Sequence, residues 1–312
     1  NCKGVTPLNT AIRRRESTYT RLPSTTGHPV LANMENNCEQ TETIHNYITE
    51  FSNGAMLDCK ELKKIIFPED GLLEIIGNNA FQGCIKLEKI TIPDTVKTIG
   101  DEAFYNCTSL TSVTFGKNIK TIGKNLFTNC NNLNTILFAD GATLETVGQH
   151  AFQDCKALTT INMSKAKTIE EGTFQGCINL TNITMPEVIT IGENAFRMCG
   201  KLETINMPEV KTIKEGAFYR CTKLKTIIMP KVETIGEKAF NGCSVLDKES
   251  ITFQKKENVT FTTVLNGGKR KYKSIKYNKS NKSNKSNKSN KGKKGKKGNK
   301  RKTKRKKRKT KK

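Results

Sequence analysis

The chain has 312 residues, with 54 Lys and Arg, 29 Asp and Glu, and a formal net charge of +25. Residues 269–312 contain 25 of the basic residues and no acidic one, so residues 1–268 carry 29 charges of each sign and are electrically balanced. The basic charge of the whole chain therefore says nothing about the first 268 residues. No apolar run approaches the about 18 residues that span a membrane, which excludes a transmembrane segment from this sequence.

The first 53 residues show no repeat and are rich in polar side chains, with an Arg run at residues 13–15. We predict that residues 1–53 form a non-repetitive segment with a candidate cap at residues 44–51. Two cysteines, Cys2 and Cys38, lie in this segment. The sequence leaves open whether they pair or stay free.

A motif of fixed spacing begins near residue 54 and occurs nine times. It consists of an aromatic or apolar residue, a cysteine three positions later and a leucine after three more, as in Phe81, Cys84 and Leu87. The first residue is Met56 in the first copy and Phe in the other eight, and the Phe positions are 22–25 residues apart. A period of this length is typical of leucine-rich repeats, in which each repeat is one coil of a solenoid.

Each repeat predicts the same succession of short elements. After the leucine, apolar and polar residues alternate, as at Leu202, Ile205 and Met207, which predicts a short strand with one buried face. Proline often ends this strand, a second apolar pair and a glycine follow, and a compact or one-turn helical stretch leads back to the cysteine. We therefore predict an α/β solenoid over residues 54–253, a leucine-rich repeat arc of about nine coils with short parallel strands. Stacking between coils would supply its stability.

Nine of the eleven cysteines occupy one position of the repeat. Stacked coils would place them in a column of buried reduced thiols, of disulfides between coils, or of metal ligands. We favour buried thiols that fill the turn, because there is no Cys-x-x-Cys pair and no His at ligand spacing. Reduced thiols favour an intracellular location, including the nucleus; a cell-surface or secreted location is the alternative.

The chain changes character after the repeats. Residues 254–268 predict a C-terminal cap, and residues 269–312, which have almost nothing to bury, predict a disordered Lys- and Arg-rich tail. The tail predicts non-specific binding of nucleic acid or another polyanion through charge alone, since no aromatic residue follows Tyr277. The predicted polyanion-binding residues are Lys300, Arg301, Lys302, Lys304, Arg305, Lys306, Lys307, Arg308, Lys309, Lys311 and Lys312.

Catalytic chemistry finds little support in the sequence. The three histidines, His28, His45 and His150, form no recognisable triad or dyad, and His150 occupies a variable repeat position expected at the surface. No glycine-rich phosphate loop follows a strand. We predict that the protein is not an enzyme and requires no cofactor or metal.

The outward positions of the first strand in each repeat are the candidate ligand site, on the concave sheet. They carry mostly hydroxyl and amide groups and should lie side by side in successive strands. A solvated β-face, on which Thr simply suits the strand, is the alternative interpretation. The candidate residues are Lys64, Lys89, Thr91, Ser112, Thr114, Thr135, Thr160, Asn162, Asn182, Thr184, Thr204, Asn206 and Thr226.

The repeat, written Cys-x-x-Leu-x-x-Ile-x-Met-Pro-x-Val-x-x-Ile-Gly-x-x-Ala-Phe, resembles that of the BspA-type leucine-rich repeat family from about residue 55 to 253. The resemblance implies a right-handed horseshoe or arc, a ligand-binding or adhesive role often at a cell surface, and no catalytic residues. We predict a non-enzymatic scaffold that binds protein or glycan on its sheet and polyanions through its tail. The alternatives are a nuclear or nucleic-acid-associated protein acting mainly through the tail, and a cell-surface adhesin. Glycosylation of the four Asn-Lys-Ser sequons that begin at Asn278 would mark the adhesin.

Overall fold

The computed structural model describes residues 21–23, 29–31, 38–246, 251–252 and 260–261. All of them belong to the first of the two units into which the chain divides, Asn1–Ile275. The strands are β1 (Arg21–Pro23), β2 (Pro29–Leu31), β3 (Thr41–Thr43), β4 (Glu50–Phe51), β5 (Lys64–Ile66), β6 (Ile75–Ile76), β7 (Lys89–Thr91), β8 (Thr98–Ile99), β9 (Ser112–Phe115), β10 (Thr121–Ile122), β11 (Thr135–Phe138), β12 (Thr146–Val147), β13 (Thr160–Asn162), β14 (Thr168–Ile169), β15 (Asn182–Thr184), β16 (Thr190–Ile191), β17 (Thr204–Asn206), β18 (Thr212–Ile213), β19 (Thr226–Ile228), β20 (Thr234–Ile235), β21 (Ile251–Thr252) and β22 (Thr260–Phe261).

The odd-numbered strands from β3 to β21 form the first sheet-like side of the solenoid. They pair in parallel in three hydrogen-bonded sections, β3 to β11, β13 with β15, and β17 to β21. Contacts between β11 and β13 and between β15 and β17 connect the sections. Each strand from β5 to β21 follows the leucine of the motif, where the sequence predicted it, so the parallel solenoid is confirmed. Strand β3 precedes the first copy of the motif.

The even-numbered strands form the second side. Strands β4, β6 and β8 pair in parallel, as do β10 to β22, and each of these strands is two residues long. Strand β2 adds in parallel to β4, and β1 pairs with β2 in antiparallel orientation. Both sides of the solenoid therefore extend to strands that precede residue 54.

The interior is built from columns of identical side chains. The eight motif Phe rings, from Phe81 to Phe240, stack face to face with centroids 5.1–5.5 Å apart. The motif leucines from Leu62 to Leu224 are fully buried. Because each ring packs against rings of the neighbouring coils, a coil gains its core only by stacking.

The cysteine column consists mainly of buried free thiols, as predicted. Eight cysteines, from Cys84 to Cys243, are free and buried. Each thiol donates to the main-chain carbonyl of the motif aromatic or Met residue in the preceding coil, at 3.0–3.3 Å. For example, Cys107 Sγ lies 3.1 Å from Phe81 O. The thiols therefore link successive turns as well as filling space.

One member of the cysteine column departs from this prediction. Cys59, in the first coil, forms a disulfide with Cys38, and their Cα atoms are 5.5 Å apart. Lys63 N donates to Gln40 O at 2.8 Å, which holds the segment before β3 against the segment before β5. The prediction of a free thiol at Cys59 is thus wrong, and Cys38 pairs with Cys59 rather than with Cys2.

The third segment of the coil is a pair of turns, so of the two predicted forms, compact or one-turn helical, the compact one is observed. No α-helix occurs in the part of the chain that the structure describes, so the solenoid is all-β rather than α/β. The residues before the motif Ala and before the Cys have positive φ, for example 58° at Asn79 and 72° at Gly83. Asn, Asp and Gly tolerate this left-handed backbone best. Alternate N–H groups of the segment donate to the next coil, as Phe81 N does to Ala103 O at 2.8 Å.

Candidate ligand-binding face

The first strand of each coil presents one inward side chain between two outward ones. In β13, Ile161 is buried whereas Thr160 and Asn162 are exposed. The strands from β5 to β19 repeat this alternation, and parallel pairing in register aligns equivalent residues. The outward side chains of these eight strands therefore form two rows, which together are the strand face.

All thirteen candidate residues predicted from the sequence lie on the strand face, and each is exposed or half-buried. The sections of the first side bring them together in groups rather than in one continuous ladder. Register neighbours are Lys64–Lys89, Lys89–Ser112, Ser112–Thr135, Thr160–Asn182 and Thr204–Thr226 in one row, and Thr91–Thr114, Asn162–Thr184 and Asn206–Ile228 in the other.

Most polar groups of the strand face have no protein partner among the described residues. The exception in the predicted set is Thr135, whose hydroxyl donates to Asn134 Oδ1 at 2.7 Å. Lys64 and Lys89 make no ion pair within the described ranges, whereas the nearby Lys86 contacts Glu61 at 2.7 Å. Exposed, unpaired groups held at fixed spacing by strands are available to a partner at little ordering cost.

Three apolar residues of the strand face were missed by the sequence interpretation. Ile66, Leu137 and Ile228 are 38%, 53% and 37% exposed, and each occupies the second outward position of its strand. Leu137 lies beside Thr114 in the register. The alternation of inward and outward residues in each strand also marks these three positions as outward. The sequence interpretation named only polar residues as site candidates and so left them out. The face is therefore a polar surface with three separate apolar contact points.

A row of threonines occupies the second side of the solenoid. Thr121, Thr146, Thr168, Thr190, Thr212, Thr234 and Thr260 are register neighbours in β10 to β22. In the strands from β10 to β20, each Thr precedes a buried Ile or Val. The strand preference of Thr accounts for this row.

Among the described residues, few side chains are arranged for acid–base catalysis or metal binding. No group of three His, Cys, Asp or Glu side chains is placed to hold a metal in the described ranges. Burial raises the pKa of the Cys84 thiol to about 12 and the pKa of Cys107 well above its usual range, so these thiols are poor nucleophiles. His150 is only partly exposed, because its ring lies over Gly172. The predicted polyanion-binding residues, from Lys300 to Lys312, lie outside the described residues.

Comparison with protein families agrees with this architecture. The family described as "BspA type Leucine rich repeat region" matches residues 34–159 and 145–265, with six copies. The chain belongs to the BspA-type leucine-rich repeat family. The resemblance inferred from the repeat is thus confirmed, and with it the leucine-rich repeat scaffold. The comparison with curated proteins finds no significant match.

Solved structures of similar fold come from bacteria. The leucine-rich repeat protein TpLRR of T. pallidum has 20% sequence identity and a TM-score of 0.52, covering 75% of this chain and 90% of its own. A leucine-rich cell surface protein from Faecalibacterium prausnitzii has 21% identity and a TM-score of 0.35, covering 70% and 79%. At 20% identity the similarity to TpLRR establishes the fold alone. Among the residues that the structure describes, no helix has the length and apolar character needed to cross a bilayer.

Proposed function

We propose that this BspA-type repeat protein is a non-enzymatic scaffold that binds another protein through its strand face. The observation that supports this most is the double row of exposed, unpaired polar side chains, which is interrupted by Ile66, Leu137 and Ile228. Protein interfaces combine apolar contacts with hydrogen bonds, and this face offers both. A glycan, the alternative partner, would use the hydroxyl and amide groups but gain less from the apolar ones.

Replacing Leu137 and Asn182 with Glu in the full chain is expected to weaken partner binding at least about tenfold, which is about 1.4 kcal/mol. The two new carboxylates would lie on the strand face, where a docked protein would desolvate them. The matched control is Thr190→Glu in β16, which adds a carboxylate to the second side. Partners are captured on the wild-type chain, identified by mass spectrometry, and then titrated against each variant.

Two results would count against the strand face as a protein site. One is unchanged affinity of the captured partner for the double variant. The other is an equal loss of affinity in the Thr190→Glu control. A glycan array whose signal depends on Leu137 and Asn182, with no captured protein that does, would reassign the face to a glycan.

We further propose that the tail binds polyanions without sequence preference, so that it tethers the scaffold to nucleic acid or another acidic polymer. This proposal rests on charge, because residues 269–312 hold the entire formal excess of +25. Electrostatic binding of this kind releases counterions and falls steeply with salt.

The affinity of the full chain for DNA, RNA and heparin is expected to fall by at least about a thousandfold between about 50 and 200 mM salt, as it does for proteins with roughly six to ten phosphate contacts. Removal of residues 269–312 should abolish this salt-dependent binding. The measurement is binding of the full chain and the truncated chain at several salt concentrations, with the unfolding midpoints compared as a control. A truncated chain that retains the affinity and the salt slope would overturn the tether. A full chain that prefers one nucleic acid strongly would favour the nucleic-acid-associated alternative.

A further inference from the structure

The two arginines of residues 38–246 come together on one turn edge. Arg197 and Tyr219 follow the motif Phe of successive coils, and Met198 N donates to Tyr219 O at 2.8 Å, which fixes the two turns side by side. Arg197 Cζ lies 4.9 Å from the Tyr219 ring centroid, and Arg220 Cζ lies 5.4 Å from it. Both guanidinium groups thus lie within cation–π distance of the Tyr219 ring. These three residues and Met198 form the arginine patch.

The arginine patch places Met and Arg at a left-handed backbone position that the other coils fill with Asp, Asn or Gly. Met198 and Arg220 have φ of 64° and 59° at the left-handed position before the Cys. This conformation is less favourable for Met and Arg than for Asn, Asp or Gly. Glu102, His150 and Lys238 adopt it at the position before the motif Ala in other coils, so the repeat itself imposes it. The equivalent residues of the other seven coils are all Asp, Asn or Gly, namely Asp58, Gly83, Asn106, Asn129, Asp154, Gly176 and Gly242.

The positive groups of the patch differ in kind from those elsewhere in residues 38–246, where every other Lys or Arg is a lysine. Eight lysines of the solenoid pair with a carboxylate of a neighbouring coil, at 2.6–3.6 Å. Neither Arg197 nor Arg220 makes an ion pair within the described residues, although the guanidinium fork suits carboxylates best. Lys64 and Lys89 also make no ion pair within the described residues, so the guanidinium groups distinguish the patch rather than unpaired charge. Exposed Lys201 and Lys223 lie four and three residues further along the same two coils and add positive charge.

We propose that the arginine patch binds an acidic protein segment that also carries an apolar side chain. The two guanidinium groups would take carboxylates of the partner, and Met198, which is 42% exposed, would contact its apolar residue. Arg, Tyr and Met are the side chains enriched at protein interfaces. A sulfated polysaccharide would be held by charge and gain little from Met198. The patch lies in the turn segment of the coil and is separate from the strand face.

The test uses the full chain and a short peptide that alternates Glu with Leu and Phe and carries a photo-crosslinking group. Crosslinks to residues 197–223 are expected in the wild type, since mass spectrometry distinguishes them from crosslinks to the tail. Their yield should fall at least about tenfold in the variant Arg197→Gln, Met198→Asn, Arg220→Asn. The matched control, Lys86→Gln with Lys97→Gln, removes two positive charges elsewhere and should leave the yield unchanged.

The stability of the same variant distinguishes lost binding from lost folding. Because Asn tolerates the left-handed backbone, the variant should unfold at a higher denaturant concentration than the wild type. Crosslinks confined to residues 269–312, an unchanged yield in the variant, or a lower unfolding midpoint would each overturn the proposal. If a heparin fragment binds the variant more weakly than the wild type while the peptide binds both equally, the occupant is a sulfated polysaccharide. The proposal of an acidic protein segment would then be wrong.

Discussion

Replacing Phe174 with Ala is expected to destabilise the array by about 3–5 kcal/mol, the cost of removing a buried Phe, and to split its unfolding into two transitions. Phe174 is fully buried and stacks on Phe152 at 5.4 Å and on Phe196 at 5.3 Å. Removing the ring weakens both interfaces of one central coil. Because solenoid stability is a sum of coil and nearest-neighbour terms, the coils on either side would then unfold separately.

The measurement is denaturant unfolding followed by circular dichroism, with two comparison variants. Phe240→Ala changes the last described ring of the column, which stacks on Phe218 at 5.3 Å, and should cost less and keep one transition. Thr184→Ala on the strand face should stay within about 0.5 kcal/mol of the wild type. Equal shifts and single transitions for both Phe variants would contradict nearest-neighbour coupling along the column.

The inward positions of each coil could be predicted from the sequence because their identity repeats. A Phe, Cys or Leu that recurs at the same point of every period must face the same environment in every coil, and Phe104, Cys107 and Leu110 are all fully buried. The alternation after the leucine then fixed which strand residues point outward. The period and the alternation therefore predicted the two strand-bearing sides and the polar residues of the strand face.

The turn segment was less predictable because its signal is conformational. The residues before Ala and before Cys vary among Asn, Asp, Gly, His, Glu, Met, Arg and Lys, yet all have positive φ. Asn79 and Gly83 point to left-handed backbone, but Met198 and Arg220 do not. Apolar spacing could not distinguish two such turns from one turn of helix. The main-chain hydrogen bonds between the turn segments of successive coils impose this conformation. The sequence of a single repeat does not reveal these hydrogen bonds.

The remaining differences depend on neighbours that are distant in sequence. The disulfide of Cys59 requires Cys38 to lie against the first coil, which depends on the register of β3 with β5. The arginine patch requires that Arg197 and Tyr219 occupy equivalent positions of adjacent coils. Aligning the repeats is enough to place Arg197 beside Tyr219. The positive φ of Met198 can be read only from the structure.

Alkaline pH is expected to destabilise the array through its thiol column. Burial raises the pKa of seven thiols above the ordinary 9.0, to about 12 for Cys84. In the unfolded chain these thiols ionise near the ordinary value, whereas in the folded chain they keep their protons. The unfolded state therefore gains stability as pH rises. The contribution of the column is complete below about pH 9 and is lost as pH increases from there toward the folded pKa values.

Each such thiol should lower the free energy of unfolding by about 1.4 kcal/mol per pH unit above pH 9. The measurement is the free energy of unfolding between pH 8 and pH 10.5 under anaerobic conditions, for the wild type and for Cys155→Ala and Cys177→Ala. Each substitution should reduce the slope by about 1.4 kcal/mol per pH unit, whatever its effect on stability at neutral pH. All other titratable groups are common to the three proteins, so the difference between slopes isolates the thiols. A slope that is the same in all three proteins would mean that the unfolded and folded thiols ionise together, and the hydrogen-bonded thiol column would then have no part in the alkaline response.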